Sequence, residues 1–195
     1  VRPPSGRLVT MPYLPLLNDT KVQSFIADGY LSLPSSLPAS DHKHLHRSLE
    51  TWFTDHDNPG NDISEHVPEL DRLFTDPVLM GALTSLLGPS YLLHRHRHCH
   101  NHPPGARAQN RHKDYPIGGN VRDHHPRSVL ILYYPHDVTE DMGPTAIQPG
   151  SQYLMSEPAD LPELNLCCDA GTFVIAHYEI WHRATETRAP TPAIW

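Results

Sequence analysis

The chain has 195 residues and a formal charge of −7 with histidine counted neutral, the length of one domain able to bury a core without disulfide staples. No run of basic residues occurs, which excludes a polybasic nucleic-acid or membrane-headgroup surface. No apolar stretch approaches the ~20 residues of a membrane-spanning helix.

Two counts depart from ordinary composition: 16 histidines and 21 prolines. Histidine is the commonest metal ligand and titrates near neutrality, while proline favours loops and short strands. The three cysteines, Cys99, Cys167 and Cys168, are odd in number and form no CxxC spacing. They predict a reduced, intracellular compartment, and with no leader or peroxisomal ending the expected location is cytoplasmic.

The opening "VRPPSGRLVT" reads as part of a flexible extension over residues 1–17, with Met11 as the expected natural start. A single domain is expected over 18–195. "NDTKVQSFIAD" (18–28) places polar capping residues before Val22, Phe25 and Ile26 at helical spacing, and Gly29 closes that helix. "YLSLP" alternates as a short strand. "SDHKHLHRSLETWF" predicts a helix from a Ser40-Asp41 cap, with Leu45, Leu49 and Trp52 on one face. "NPGND" is a loop. "DPVLMGALTSLLG" predicts a third helix, with Asp76 at the cap, Pro77 in the first position and Gly88 at the exit.

Beyond Pro89 the pattern changes to strands: 91–102, 128–134, 144–148 and 171–177, separated by Gly, Pro, Asn and Asp clusters. Helices first and strands second predict an α+β domain, with helices packed on one side of an antiparallel sandwich or barrel.

"HRHRHCHNH" (94–102) puts His94, His96, His98, His100 and His102 on one face of the predicted strand. Same-face neighbours along a strand lie roughly 6.5–7 Å apart. Two of them can share an ion and five cannot, so the row by itself reads as a polar barrel lining or a solvated face, with a supporting role beside another site or a histidine-only metal site as the alternatives. "NRHKDYP" holds the only H-x-D of the chain, His112 and Asp114. A histidine and a carboxylate two apart at a strand end project to the same side and can fill two adjacent corners of an octahedron. A distant histidine then completes a two-histidine, one-carboxylate facial triad with open positions for substrate and oxygen. "HYE" (His177, Glu179) is a rival pair, and "GTFVIAHYEIWHRA" runs a buried strand into His177 and then His182.

With these motifs in order, the sequence resembles the phytanoyl-CoA dioxygenase family of Fe(II)- and 2-oxoglutarate-dependent oxygenases. The resemblance covers roughly residues 18–185: "DGY" (28–30), "NHPPG", "HKD", "MGPTAIQPGS" (142–151), and the His177/His182 pair followed by Arg183-Ala184. It implies a double-stranded β-helix, a jelly-roll or cupin-like barrel with the N-terminal helices outside. Carried over position by position, His112, Asp114 and His182 are the implied metal ligands, and His177 is a strand residue beside the site. The implied cofactors are Fe(II) and 2-oxoglutarate. The implied partners are a small-molecule substrate and O2, with no nucleic acid and no membrane. The implied reaction is hydroxylation of an unactivated C–H of a small organic or acyl substrate.

The resemblance turns His98, His100 and His102 toward the pocket, His98 as a cosubstrate contact. Thr145 in the "GPT" turn is a further candidate, and of Tyr133 and Tyr134 only one can face inward. The family's basic anchor for the distal carboxylate of 2-oxoglutarate falls at Ala193 here, which leaves Arg188 as the nearest candidate. Arg183 is expected on the opposite face. "RAPTPAIW" carries two prolines where the last core strand belongs. That predicts a missing last strand and a C-terminally truncated chain, and Gln152 replaces the family's usual histidine. A non-catalytic barrel that binds metal without turnover is the alternative. A histidine-rich sequestering module and a cupin-type enzyme, whose H-x-H…E motif is absent around His112, are lesser rivals. Nothing in the sequence identifies the substrate or the oligomeric state.

Overall fold

Asn18 starts the first helix, α1 (Asp19–Asp28), by accepting the Lys21 N–H, and Gly29 stops it at φ 79°, its own N–H returning to the Phe25 carbonyl. The computed structural model describes residues 14–94, 97–114, 125–190 and 193–195. Residues 1–13, Met11 among them, therefore lie outside the described part. Of the extension expected over 1–17, the described residues rest on a later helix. The Leu17 N–H donates to Ser85 Oγ at 2.9 Å, and a side chain at Gly81 would meet the Pro15 carbonyl.

Strand β1 (Tyr30–Pro34) follows, then α2 (Ala39–Asp55), which buries Leu45 and Leu49. It starts after Pro38, before the expected Ser40-Asp41 cap, and has no side-chain cap. From within "NPGND" onward the chain holds short turns that the sequence pattern does not announce: 3-10 turns at Gly60–Asp62 and Pro68–Thr75, with α3 (Ile63–His66) between them. Each is too short to show a helical period. α4 (Pro77–Leu87) begins as expected at Asp76, whose carboxylate accepts the Val78 and Leu79 N–H groups. Asp76 is buried, which by itself would raise its pKa. Hydrogen bonds from the Ser35 side chain and from the Ser36, Val78 and Leu79 N–H groups outweigh that and hold it below the usual range.

The strands form antiparallel sheets. In the first, β6 (Thr172–His177) lies between β1 and β3 (Val129–Tyr134). The second runs in the order β5 (Leu164–Asn165), β4 (Thr145–Ile147), β7 (His182–Ala184). Every residue of β6 is buried, which explains the unbroken apolar run at its centre, residues 173–176. Period two sorts the core. Phe173, Ile175 and Tyr133 face the helices with Phe25, Leu45 and Leu79. Val174, Ala176 and Tyr134 face the other way, with Ile147 and Ile180. A third cluster joins Leu49, Ile63 and Val67 to Cys99 and Ile194.

Two expectations need correction. Of the strand predicted over 91–102, only the end pairs among the described residues, β2 (Asn101–His102) and His100 just before it, so the histidine row is not one strand face. The chain here has too few ladder partners: β2 meets only β8 (Ala193–Ile194). That same pair revises the expected loss of the last strand. Pro190 and Pro192 precede the paired residues, so the proline-free end "AIW" keeps its donors. The Trp195 N–H donates to the His100 carbonyl at 3.1 Å, the His100 N–H returns to the Trp195 carbonyl at 2.8 Å, and Ile194 is buried.

Candidate metal centre

His112 and His182 are directly opposed across an antiparallel bridge. Each N–H donates to the other's carbonyl, at 2.9 and 3.0 Å, and the two rings stand on one side with centroids 4.5 Å apart. His182 is held there because β7 pairs with β4 in register, Ile147 opposite His182. Asp114 follows His112 by two residues and so returns to the same side. Its Oδ2 lies 3.9 Å from His182 Nε2. One ligand atom from each of His112, Asp114 and His182 can be chosen so that all lie within 4.8 Å of one another, and this is the one such group among the described residues.

The backbone fixes both imidazoles. His112 Nδ1 lies 2.9 Å from the Asn110 carbonyl and His182 Nδ1 lies 3.0 Å from the Ile180 carbonyl. A carbonyl only accepts, so each Nδ1 carries the hydrogen and each Nε2 keeps its lone pair. That is the tautomer a metal ligand requires, with the outer partner supplied by the main chain. Burial lowers the pKa of His182, which the Ile180 carbonyl and Asp114 offset in part, so the ring is neutral at neutral pH. Two imidazole nitrogens and one carboxylate oxygen make the donor set of a facial triad, and the residues present fit a divalent first-row metal.

The other expected positions fall differently. His177 is buried on the neighbouring strand, its Nδ1 accepting the Glu179 N–H at 3.2 Å, and it is not in the group. Burial first, and then the charge of Lys113, bring its pKa down to about 4. His98 is exposed beside Gly60, and His94 and His100 are also exposed, while His96 lies outside the described residues. His102 is half-buried against the Trp195 ring, with centroids 4.8 Å apart.

Thr145 is buried on β4 within hydrogen-bonding range of the Tyr134 hydroxyl, which is itself fully buried. Of the two tyrosines, Tyr134 therefore faces the space between the sheets. Tyr133 faces the helices and meets His42 Nδ1 at 2.6 Å. Arg188 is exposed on a segment whose N–H donates to the Asp141 carbonyl. Arg183 lies on the face opposite the ligands, as expected, in a double hydrogen bond with Glu163. Sequence reasoning missed Glu163, because a lone glutamate in "LPELN" carries no motif.

Among curated proteins none is similar in sequence. Solved structures with the same fold include EctD from S. alaskensis in its apo form (TM-score 0.75, 18% identity, 91% of this chain and 74% of that one). HygX from Streptomyces hygroscopicus with nickel and 2-oxoglutarate bound matches at a TM-score of 0.73 and 13% identity, over 91% of this chain and 84% of that one. The non-haem α-ketoglutarate-dependent carbocyclase SnoK from nogalamycin biosynthesis matches at 0.68 and 16%, over 91% and 81%. At these identities the likeness is one of fold. The family model for phytanoyl-CoA dioxygenase matches residues 27–192, nearly the whole length, and the chain belongs to that family.

Proposed function

We propose that this chain is an Fe(II)- and 2-oxoglutarate-dependent dioxygenase that hydroxylates an unactivated C–H of a small organic or acyl substrate. In this reading the sheets are laid out as a double-stranded β-helix, and His112, Asp114 and His182 hold the iron. The observation that carries it is the matched pair of imidazoles, each held at Nδ1 by a carbonyl two residues earlier and each turning Nε2 toward Asp114's side of the bridge. When bound, Fe(II) supplies the oxidative chemistry, coupling decarboxylation of 2-oxoglutarate by O2 to hydroxylation. The protein's part is placement. The bridge sets the histidine spacing, burial keeps His182 neutral, and the apolar cluster around Ile147, Val174 and Ile180 keeps the interior dry.

For the cosubstrate, the buried Tyr134 hydroxyl and its neighbour Thr145 are donors with which a carboxylate would pair. Arg188 is the candidate basic anchor and His98 the outlying polar contact. The second reading, a barrel that binds metal without turnover, is favoured by Ala193 at the anchor position and by the exposure of Arg188. Succinate release from 2-oxoglutarate, measured with Fe(II) and O2 and with or without a substrate library, separates the two. The dioxygenase predicts succinate that disappears in His112→Ala. Tight metal binding with no succinate under any condition favours the second reading.

A further inference from the structure

The residues that alternate with the ligands point away from the metal group, and they are all paired. Arg111 precedes His112, and its Nε donates to Glu163 Oε1 at 2.8 Å while its Nη1 donates to Glu157 at 2.6 Å. Arg183 follows His182 and closes a two-pronged contact on Glu163, Nε to Oε1 at 2.7 Å and Nη2 to Oε2 at 2.6 Å. Lys113 stands between the other two ligands. Its Nζ lies 5.7 Å over the Trp181 ring and donates to the Gln152 carbonyl at 3.2 Å. Behind the opposed histidines, therefore, two guanidiniums from two different segments share one carboxylate. Two arginines brought side by side without an anion between them would repel. The carboxylate turns that repulsion into a bidentate, charge-assisted cross-link.

The backbone explains why this carboxylate reaches both segments. Glu163 immediately precedes β5, which pairs with β4, which pairs with β7, which bridges to His112. The bridge at His112 is an isolated residue pair. The same two segments are also joined at Gln109, whose N–H donates to the Ala184 carbonyl at 3.0 Å, and at Thr187, but not as a continuous ladder through the ligands, which makes a weaker register lock. Glu163 is four-fifths buried, and its carboxyl is held down to about 2, first by the hydrogen bond from Arg183.

We propose that Glu163 is a positioning residue for the metal. By drawing Arg111 and Arg183 onto one carboxylate, it locks the His112 and His182 segments in register from the outer face, so that the ligand atoms converge before the metal arrives. This rests on the reading of His112, Asp114 and His182 as metal ligands.

The test is the affinity of the full chain for Co(II), by competition with a chromophoric chelator under conditions well below the unfolding transition, together with the Co(II) visible spectrum. Glu163→Gln keeps the size of the side chain and removes its charge. The expected result is binding 10–100-fold weaker, the range typical of an outer partner of a metal ligand, with an altered spectrum. Asp41→Asn, which breaks the ion pair between Asp41 on α2 and Arg72 on the Pro68–Thr75 turn, should change affinity less than about twofold. Should Glu163→Gln fail to fold, Arg183→Lys is measured in its place. It keeps the charge but loses the two-pronged geometry, and the expected loss is about tenfold. Affinity and spectrum unchanged in the folded variant overturn the proposal, even if its melting temperature falls, because a purely structural ion pair would lower stability alone. Failure of the unaltered chain to bind Co(II), or binding indifferent to His112→Ala, overturns the reading of the site and the positioning role with it.

Discussion

His112 and His182 form a closed two-hydrogen-bond pair, N to O at 2.9 and 3.0 Å, although they stand far apart in the sequence. In an antiparallel ladder, opposed residues send their side chains to the same face. That the two imidazoles share one face is thus a property of the main chain and precedes any metal.

A consequence is that the ligands can be removed without unfolding the protein. Asp114→Ala and His182→Ala should each weaken divalent-metal binding by more than about 100-fold, beyond the range for an outer partner. Metal at about 100 times its Kd should stabilise the unaltered chain by about 2.7 kcal/mol. That gain should vanish in either variant and on adding a chelator. Urea melts with and without metal check both statements.

His177 governs part of the acid sensitivity. Its pKa is depressed to about 4 from the ordinary histidine value of 6.5, mainly by burial and further by Lys113. The unfolded chain therefore takes up this proton as pH falls through about 6.5, whereas the folded chain does not until about 4. Stability is whole above the upper value and is lost across that window, by roughly 1–3 kcal/mol. His177→Asn keeps an acceptor for the Glu179 N–H and cannot titrate. Its stability at neutral pH should be lower, since the ring contacts with Phe25 and Tyr153 go. Its decline between pH 6.5 and 4 should be shallower than that of the unaltered chain.

One imidazole holds the Ile194 N–H of the last strand. His136 Nδ1 donates to the Asp137 carbonyl at 2.7 Å, which leaves Nε2 to accept the Ile194 N–H at 3.1 Å. In His136→Ala the buried Ile194 donor loses its acceptor, at a cost of about 1–3 kcal/mol. Hydrogen exchange at Ile194 and Trp195 should accelerate, while exchange on β6 follows only the global change in stability.

Gly29 carries two constraints at once. Its φ of 79° is in the left-handed region, and a Cβ there would run into the Gln152 side-chain oxygen. The Gln152 amide in turn holds the end of α1 by donating to the Ile26 carbonyl at 3.0 Å. Gly29→Ala should therefore cost more than the ~1–2 kcal/mol of the backbone strain alone, measured by urea unfolding.

Capping chemistry and hydrophobic period are local properties of the chain, and through them the sequence by itself determined much of this molecule. Asn18 and Gly29 bracket α1, Asp76 and Gly88 bracket α4, and the run 172–177, apolar at its centre, is a strand buried on both faces. Spacing alone also put His112 and Asp114 on one side and Arg183 on the other. Only the tertiary structure decided the rest. The histidine row reads as a strand but has few ladder partners, so period two there had no sheet to act on. The prolines of the last segment argued against a strand, yet His136 and His100 supply what Ile194 and Trp195 need. Tyr134 was chosen over Tyr133 by which face of β3 the helices cover. Glu163 had no sequence signature at all, because its role comes from two arginines that meet only after β4, β5 and β7 have paired. Long-range pairing is not encoded in any window of the chain, which is why the ligands' immediate neighbours were legible and their support was not.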